Sequence, residues 1–206
     1  MNIIKLNAID STNSYLINLS RTVKLEDPTI VVANEQTKGR GQQGAYWQSV
    51  KHQSLLFSIF KRFDDLSIYK ISSITYAVSL GMKEALKKLQ IPNIAIKWPN
   101  DIMSQSKKVA GILIENQIKQ GKVVSSIIGI GLNVNEESFN ELPQATSMLV
   151  SSGNKYNLKE VLDKVLKEIL IQLQDIESDD IDDYKLEDFE VIEYKHHEKI
   201  NYPMAV

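Results

Sequence analysis

The 206-residue chain has no cysteine. Disulfides, thiol nucleophiles and zinc–thiolate centres are therefore excluded. Histidine is scarce: His52, His196 and His197, the last two adjacent in a charged tail, give no metal-ligand spacing. No apolar run approaches the roughly 18 residues that mark a membrane-spanning helix. Met1-Asn2-Ile3-Ile4-Lys5-Leu6 lacks the apolar region of a secretory signal, so a cytoplasmic protein is expected. An excess of one charge is missing too. The net charge is −2, so no global basic field favours nucleic acid, and any anion must be bound by a local site. What is present, 43% hydrophobic and 24% charged residues, suits an ordinary globular chain. Its length allows a core without covalent staples, as one domain with at most a small appendage.

In chain order, Ile3, Ile4 and Leu6 read as a short first strand. Asp10-Ser11-Thr12-Asn13 supplies helix-capping types, and Tyr15, Leu16 and Leu19 follow at helical spacing. A turn holding Pro28 leads into a strand over Ile30-Val31-Val32-Ala33, and another strand covers Ser54 to Phe60. Ser67 can cap a long helix in which Ile71, Ile74, Val78, Met82, Ala85, Leu86 and Leu89 keep the 3.6-residue period. Apolar runs at Ile94–Trp98, Ile102-Met103, Val109–Glu115 and Val123–Val134, joined by short polar turns, predict an antiparallel meander. Trp98 reads as core. Gly129 and Gly131 lie inside the last run, where glycine weakens a strand unless a ligand or another backbone comes close. Asn157-Leu158-Lys159-Glu160 resembles a capping box, and Leu158, Val161, Leu162, Val165, Leu166, Ile169, Leu170 and Leu173 stripe a final helix. Asp175 to Asp183 holds six carboxylates and reads as a solvated linker, followed by a charged, weakly periodic tail.

One stretch stands apart. Asn34 to Trp47 joins two strands with three glycines (Gly39, Gly41, Gly44) and the cations Lys38 and Arg40. Connections of that length are usually functional or disordered. A basic, glycine-rich turn can cradle a phosphate or carboxylate, and a plain surface hairpin is the alternative for the loop alone. It is not a Walker A loop, because no Gly-Lys-Ser/Thr closes it. Ser11–Asn13, Gln36–Trp47, Lys97–Asp101 with Lys108, and Gly129–Asn135 all interrupt apolar strands at their ends or interiors. On one sheet they can converge on a patch with Lys38, Arg40, Lys97 and Lys108 as cations, Asp101 as an anion and Trp47 as a stacking surface. That set suits nucleotide chemistry at phosphorus, with the carboxylate helping to hold Mg²⁺. Taken singly, Lys97 and Lys108 can equally be solvent-facing, and Asp101 can merely shape its turn.

The ordered set Asp10-Ser11-Thr12-Asn13, Gln36-Thr37-Lys38-Gly39-Arg40-Gly41, Trp47, Lys97-Trp98-Pro99-Asn100-Asp101, Lys108-Val109-Ala110-Gly111-Ile112-Leu113-Ile114-Glu115 and Gly129-Ile130-Gly131-Leu132-Asn133 resembles the biotin–protein ligase family. The Lys-Trp-Pro-Asn-Asp block distinguishes it from the related lipoate ligases. The resemblance implies an α+β fold, a mixed and largely antiparallel sheet flanked by helices like that of class II synthetases. It covers about residues 1–175, leaving 176–206 as an acidic linker and short tail. It implies that biotin and ATP give biotinyl-5′-AMP, and that the biotinyl group then passes to a lysine on a biotin carboxyl carrier protein. Arg40, Lys108 and Asp101 would be catalytic, with Asp101 also the candidate for Mg²⁺. Ser11, Thr12, Asn13, Gln36, Gly39, Gly41 and Gln42 would hold biotin with Arg40 and Lys108, and Gly111, Gly129 and Gly131 would leave it room. Trp47, Lys97, Asn100 and Asn133 would meet the nucleotide with Arg40 and Lys108.

Three departures shape further expectations. Gln42, followed by Gln43, stands where many members have an arginine after Gly-Arg-Gly, so with one cation fewer looser adenylate retention is expected. No helix-turn-helix precedes Asp10, so DNA binding is not expected. The tail from Tyr184 is short and charged, so the family's small C-terminal domain is expected to be shortened or missing. A homodimer, a lipoate or octanoate ligase, and a biotin- or biotinyl-AMP-binding protein with impaired transfer stay open as alternatives.

Overall fold

The computed structural model describes residues 1–174 and Ile176. Its strands are β1 (Asn2–Leu6), β2 (Thr29–Ala33), β3 (Ser54–Ser67), β4 (Ile94–Lys97), β5 (Asp101–Ser104), β6 (Lys107–Lys119) and β7 (Lys122–Asn133). The helices are α1 (Thr12–Thr22), α2 (Ile71–Lys88), α3 (Met148–Ser152) and α4 (Leu158–Gln174). The seven strands form one sheet in the order β1-β2-β3-β7-β6-β5-β4. Only the β1/β2 pair is parallel, and β4 through β7 run as the antiparallel meander that their short turns predict.

Alternation along the strands divides the apolar residues between two faces. Leu55, Phe57 and Ile59 of β3 and Ile128, Ile130 and Leu132 of β7 join Val78, Met82, Val165 and Ile169 in the main core beneath α2 and α4. Burying each such side chain fully contributes about 1.5–3 kcal/mol relative to leaving it exposed. Gly81 lets the two helices meet: a Cβ there would lie 2.6 Å from the Ile169 Cα. The opposite face has a smaller cluster, Leu16, Leu25, Val31, Phe60 and Ile127, under α1. The caps read from sequence are in place. Ser11 accepts from the Ser14 N–H, and Asn157 Oδ1 accepts from the N–H groups of Lys159 and Glu160.

The details differ in several places. Trp98 is not core: the strand ends at Lys97, and the residue is 62% exposed. Strand β3 runs on to Ser67, which caps a short 3₁₀ turn before α2. The five-residue α3, capped by Ser147 and ended by Gly153 at φ 77°, is too short to show a period. Ile176, inside the acidic stretch read as linker, packs into the main core at 0% exposure. The rest of that stretch and the tail lie outside the described residues. Among the described residues, no helix is long and apolar enough to cross a membrane.

Candidate active site

The face bearing α1 is only partly covered by that helix. Beyond it, Gly111 of β6 pairs with Gly131 of β7, and Leu113 pairs with Gly129. Three glycines on one face remove the side chains that would fill it, which leaves a trough in the sheet. Residues 34–53 close over this trough. The first leg is pinned to the start of α1, with Ile9 N–H donating to Glu35 O, Thr37 N–H to Ile9 O and Lys38 N–H to Asp10 O. The chain then folds into a small hairpin, in which Trp47 N–H donates to Gly39 O and Gly41 N–H to Ala45 O. Glycine is required at position 39, because a Cβ there would lie 2.3 Å from the Trp47 carbonyl oxygen.

The return leg rests on Glu136. One of its oxygens, Oε1, accepts from the Val50 N–H at 3.1 Å and from the Ser54 hydroxyl. Oε2 is buried and has no partner among the described residues. Burial pushes the Glu136 carboxyl above the usual carboxylate range, and the donors from Ser54 and Val50 offset only part of that shift.

Under the loop lies a cavity of about 220 Å³. One end is uncharged. Gln36 Oε1 accepts from the Thr12 N–H at 2.7 Å and its hydroxyl at 3.0 Å, and among the described residues no hydrogen bond to the Gln36 amide nitrogen is present. Ser11 also lines the cavity. Asn13 is more constrained. Its nitrogen donates to Leu113 O at 3.2 Å and Glu115 Oε2 at 2.9 Å, and its oxygen accepts from Ser58. A Cβ on Gly129 would lie 2.2 Å from that oxygen, so the glycine makes room for Asn13 itself.

The other end is charged. Lys108 Nζ lies 2.6 Å from Asp101 Oδ1 and 5.5 Å from the centre of the Trp47 ring. A bulge aims it there. Opposite the Ile102–Met103 step the pairing jumps from Ala110 to Lys108, which breaks the period of two. Lys108 thereby reaches the face of Gly111, where a Cβ would lie 3.3 Å from its Nζ. Asn100 fastens the hairpin end, donating to Ile112 O at 3.0 Å and accepting the Ile112 N–H.

Trp47 fills part of the trough. A Cβ on Gly131 would lie 2.3 Å from its indole, and one on Gly111 would lie 2.8 Å from it. The indole nitrogen is buried without a partner among the described residues. Arg40 at the cavity edge points both prongs at Glu115, with the nearest contact at 2.7 Å.

The structure thus gathers Ser11, Thr12, Asn13, Gln36, Arg40, Gly41, Gln42, Trp47, Asn100, Asp101, Lys108, Gly111, Gly129 and Gly131 around one space. It does not bring in Lys38 or Lys97, so the four-cation patch expected from sequence is two cations at the cavity. Gly39 shapes the hairpin instead of lining the wall. Asn133 is buried and does not line the cavity, donating to Thr146 O at 3.0 Å. Sequence reading missed Tyr46 as a lining residue and Glu115 as the partner of Arg40. For Glu115 a signal existed: it shares strand parity with Gly111 and Leu113. A second depression, about 510 Å³ between Arg21, Lys24 and Arg62, contains none of the motif residues.

A seven-stranded mixed sheet with helices carries a trough roofed by a glycine-rich loop, an architecture consistent with the class II synthetase-like fold. A sequence model of the biotin/lipoate A/B protein ligase family matches residues 6–133, and the chain belongs to that family. It is 35% identical over 143 residues to the bifunctional ligase/repressor BirA of Bacillus spizizenii, a match covering 67% of this chain and 43% of that protein. It is 28% identical to the biotin–[acetyl-CoA-carboxylase] ligase of Mycobacterium tuberculosis, over 77% of this chain and 59% of that one. The chain thus spans less than two thirds of the length of these relatives. A solved biotin protein ligase from Aquifex aeolicus in complex with biotin and ATP superposes with a TM-score of 0.70 at 34% identity. That match covers 84% of this chain and 71% of the other.

Proposed function

We infer that this chain activates biotin with ATP to biotinyl-5′-AMP and pyrophosphate. The biotinyl group then passes to the ε-amine of a lysine on a biotin carboxyl carrier protein or biotin-dependent carboxylase. One observation carries this reading. Segments far apart in sequence build a single cavity with an uncharged hydrogen-bonding end and a charged end, spanned by an aromatic ring. A ureido ring has a carbonyl to be donated to and N–H groups that need acceptors. The Ser11 hydroxyl and the Gln36 amide nitrogen can donate, and Thr12 can accept. The Aquifex aeolicus relative, solved with biotin and ATP, supports the same pair of ligands.

In the first step a biotin carboxylate oxygen bonds to the α-phosphorus. The bond from that phosphorus to the oxygen bridging to the β-phosphate breaks, and pyrophosphate leaves with the electron pair. Two anions must approach one another, and the Lys108 ammonium stands where it can meet both. A preorganised donor of this kind is worth roughly 3–4 kcal/mol of barrier. In the second step the lysine nitrogen bonds to the acyl carbon, the acyl carbon–oxygen bond breaks and AMP departs, while the nitrogen gives up a proton. Trp47 offers its face to the adenine.

Among the described residues no cluster of three His, Asp or Glu side chains could hold a metal, and Asp101 is the one carboxylate lining the cavity. A single carboxylate fits Mg²⁺ carried in on triphosphate oxygens, which is how Mg²⁺ is commonly bound. When bound, the ion would neutralise phosphate charge, and Asp101 would hold it or orient the incoming lysine.

Biotin-dependent exchange between ATP and radiolabelled pyrophosphate tests the reading. Exchange is expected with biotin and Mg·ATP. None with biotin would sink it, and exchange with lipoate or octanoate instead would move the chain to the other branch of its family.

A further inference from the structure

Glu115 serves three donors. Its Oε1 accepts from Arg40 Nη2 at 2.7 Å, and its Oε2 from Arg40 Nη1 at 3.2 Å and from Asn13 Nδ2 at 2.9 Å. A guanidinium gripped at both prongs is fixed in direction as well as in charge. Arg40 Nη1 also donates to Ser14 Oγ at 3.2 Å. Arg40 sits in the hairpin that roofs the cavity, bridged to Tyr46. Asn13 sits in the first turn of α1, at the uncharged end. One carboxylate on β6 therefore joins the roof to the floor. Screening weakens an exposed ion pair, and these side chains are 43% and 29% exposed. The bidentate geometry and the third donor work against that loss.

The geometry points to Glu115 as a positioning residue that clamps the glycine-rich hairpin over the cavity and couples it to the biotin-binding end through Asn13. The clamp stands on the hydrogen bonds alone; its coupling to biotin rests on the function proposed above. With both prongs held by Glu115, Arg40 acts through the hairpin, and Lys108 is the cation that faces the reacting anions.

The full chain tests this with Glu115→Ala and the near-isosteric Glu115→Gln. Trypsin cuts after Lys38 and Arg40, so the rate of cleavage in the ligand-free protein reports release of the hairpin. Cleavage is expected to rise about tenfold for Glu115→Ala, the size of losing hydrogen bonds to a charged group, and less for Glu115→Gln. In pyrophosphate exchange the biotin KM is expected to rise about tenfold, with kcat within about threefold of the parent. A purely structural lesion would shrink the active fraction, lowering kcat and leaving KM in place. Cleavage and KM both within about twofold of the parent would overturn the proposal. Faster cleavage with an unchanged KM would overturn the coupling to biotin. Where Glu115→Ala does not fold, Glu115→Gln decides on the same two readouts. If the parent chain shows no biotin-dependent exchange, the ligand assignment fails by itself and trypsin still decides the clamp.

Discussion

Lys108 and Arg40 carry the same charge at one cavity, yet they face different acids. Lys108 meets Asp101, a neighbour that also borders the space, whereas Arg40 is turned away to Glu115. Lys108→Ala is expected to cut pyrophosphate exchange by about 10²–10³ while leaving the unfolding transition near that of the parent. A rate within tenfold of the parent would remove Lys108 from the chemistry. Arg40→Ala breaks the same clamp as loss of Glu115, so it is expected to raise the biotin KM about tenfold with kcat within about threefold of the parent, a KM rise that Lys108→Ala does not show. Glu136 predicts a pH effect of a different kind. Burial raises its folded pKa above the unfolded value, so the folded chain binds this proton more tightly. The stability it contributes is complete below the unfolded carboxylate range and is lost as pH climbs through the raised value. Glu136→Gln keeps an oxygen for Ser54 and Val50 but cannot ionise. Its Tm is expected to exceed the parent's at neutral pH, with the gap closing towards about pH 4. Parallel Tm curves across that range would show that Glu136 is not the group responsible.

At the level of elements, the seat of Trp47 is the sharpest prediction. The chain has two tryptophans, so Trp98→Phe leaves Trp47 as the sole indole emitter. In that background Gly131→Ala puts a methyl where the indole lies, 2.3 Å away at its nearest. Red-shifted emission, stronger acrylamide quenching and lost adenylation are expected together. Unchanged emission would mean that the ring does not rest on β7. The sequence made most elements legible because each was long and regular, as in the stripe of α4 and the alternation of β3. It misled at Trp98, since Ile94, Ile96 and Trp98 share a parity that holds only while the strand continues, and the strand stops at Lys97. Motif order made the convergence on one cavity readable through the family resemblance. Parity alone could not place Lys108, because the bulge shifts it by one position relative to Gly111. From the sequence the glycines suggest space for a ligand. In the structure Gly129 admits Asn13, and Gly111 and Gly131 admit Trp47, which is a fact of tertiary packing that no local pattern encodes.

For the whole molecule, a ligand that binds only the folded chain raises its stability by mass action. At a hundredfold excess over Kd that gain is about 2.7 kcal/mol, or about 5–10 °C in Tm for a domain of this size. Biotin is expected to give this shift and lipoate to give none, measured by thermal unfolding; the reverse order would favour the lipoate branch. The same long-range connection has a hereditary side. Lys108 is held from behind by an outlying segment, its N–H donating to Gln144 O at 2.7 Å and its carbonyl accepting from the Thr146 N–H at 2.9 Å. Neither Gln144 nor Thr146 borders the cavity. An allele such as Thr146→Pro, which deletes that N–H, should therefore surface in a loss-of-function screen as a vitamin-handling defect. Its cause would be a slackened tether, with every ligand-facing residue intact.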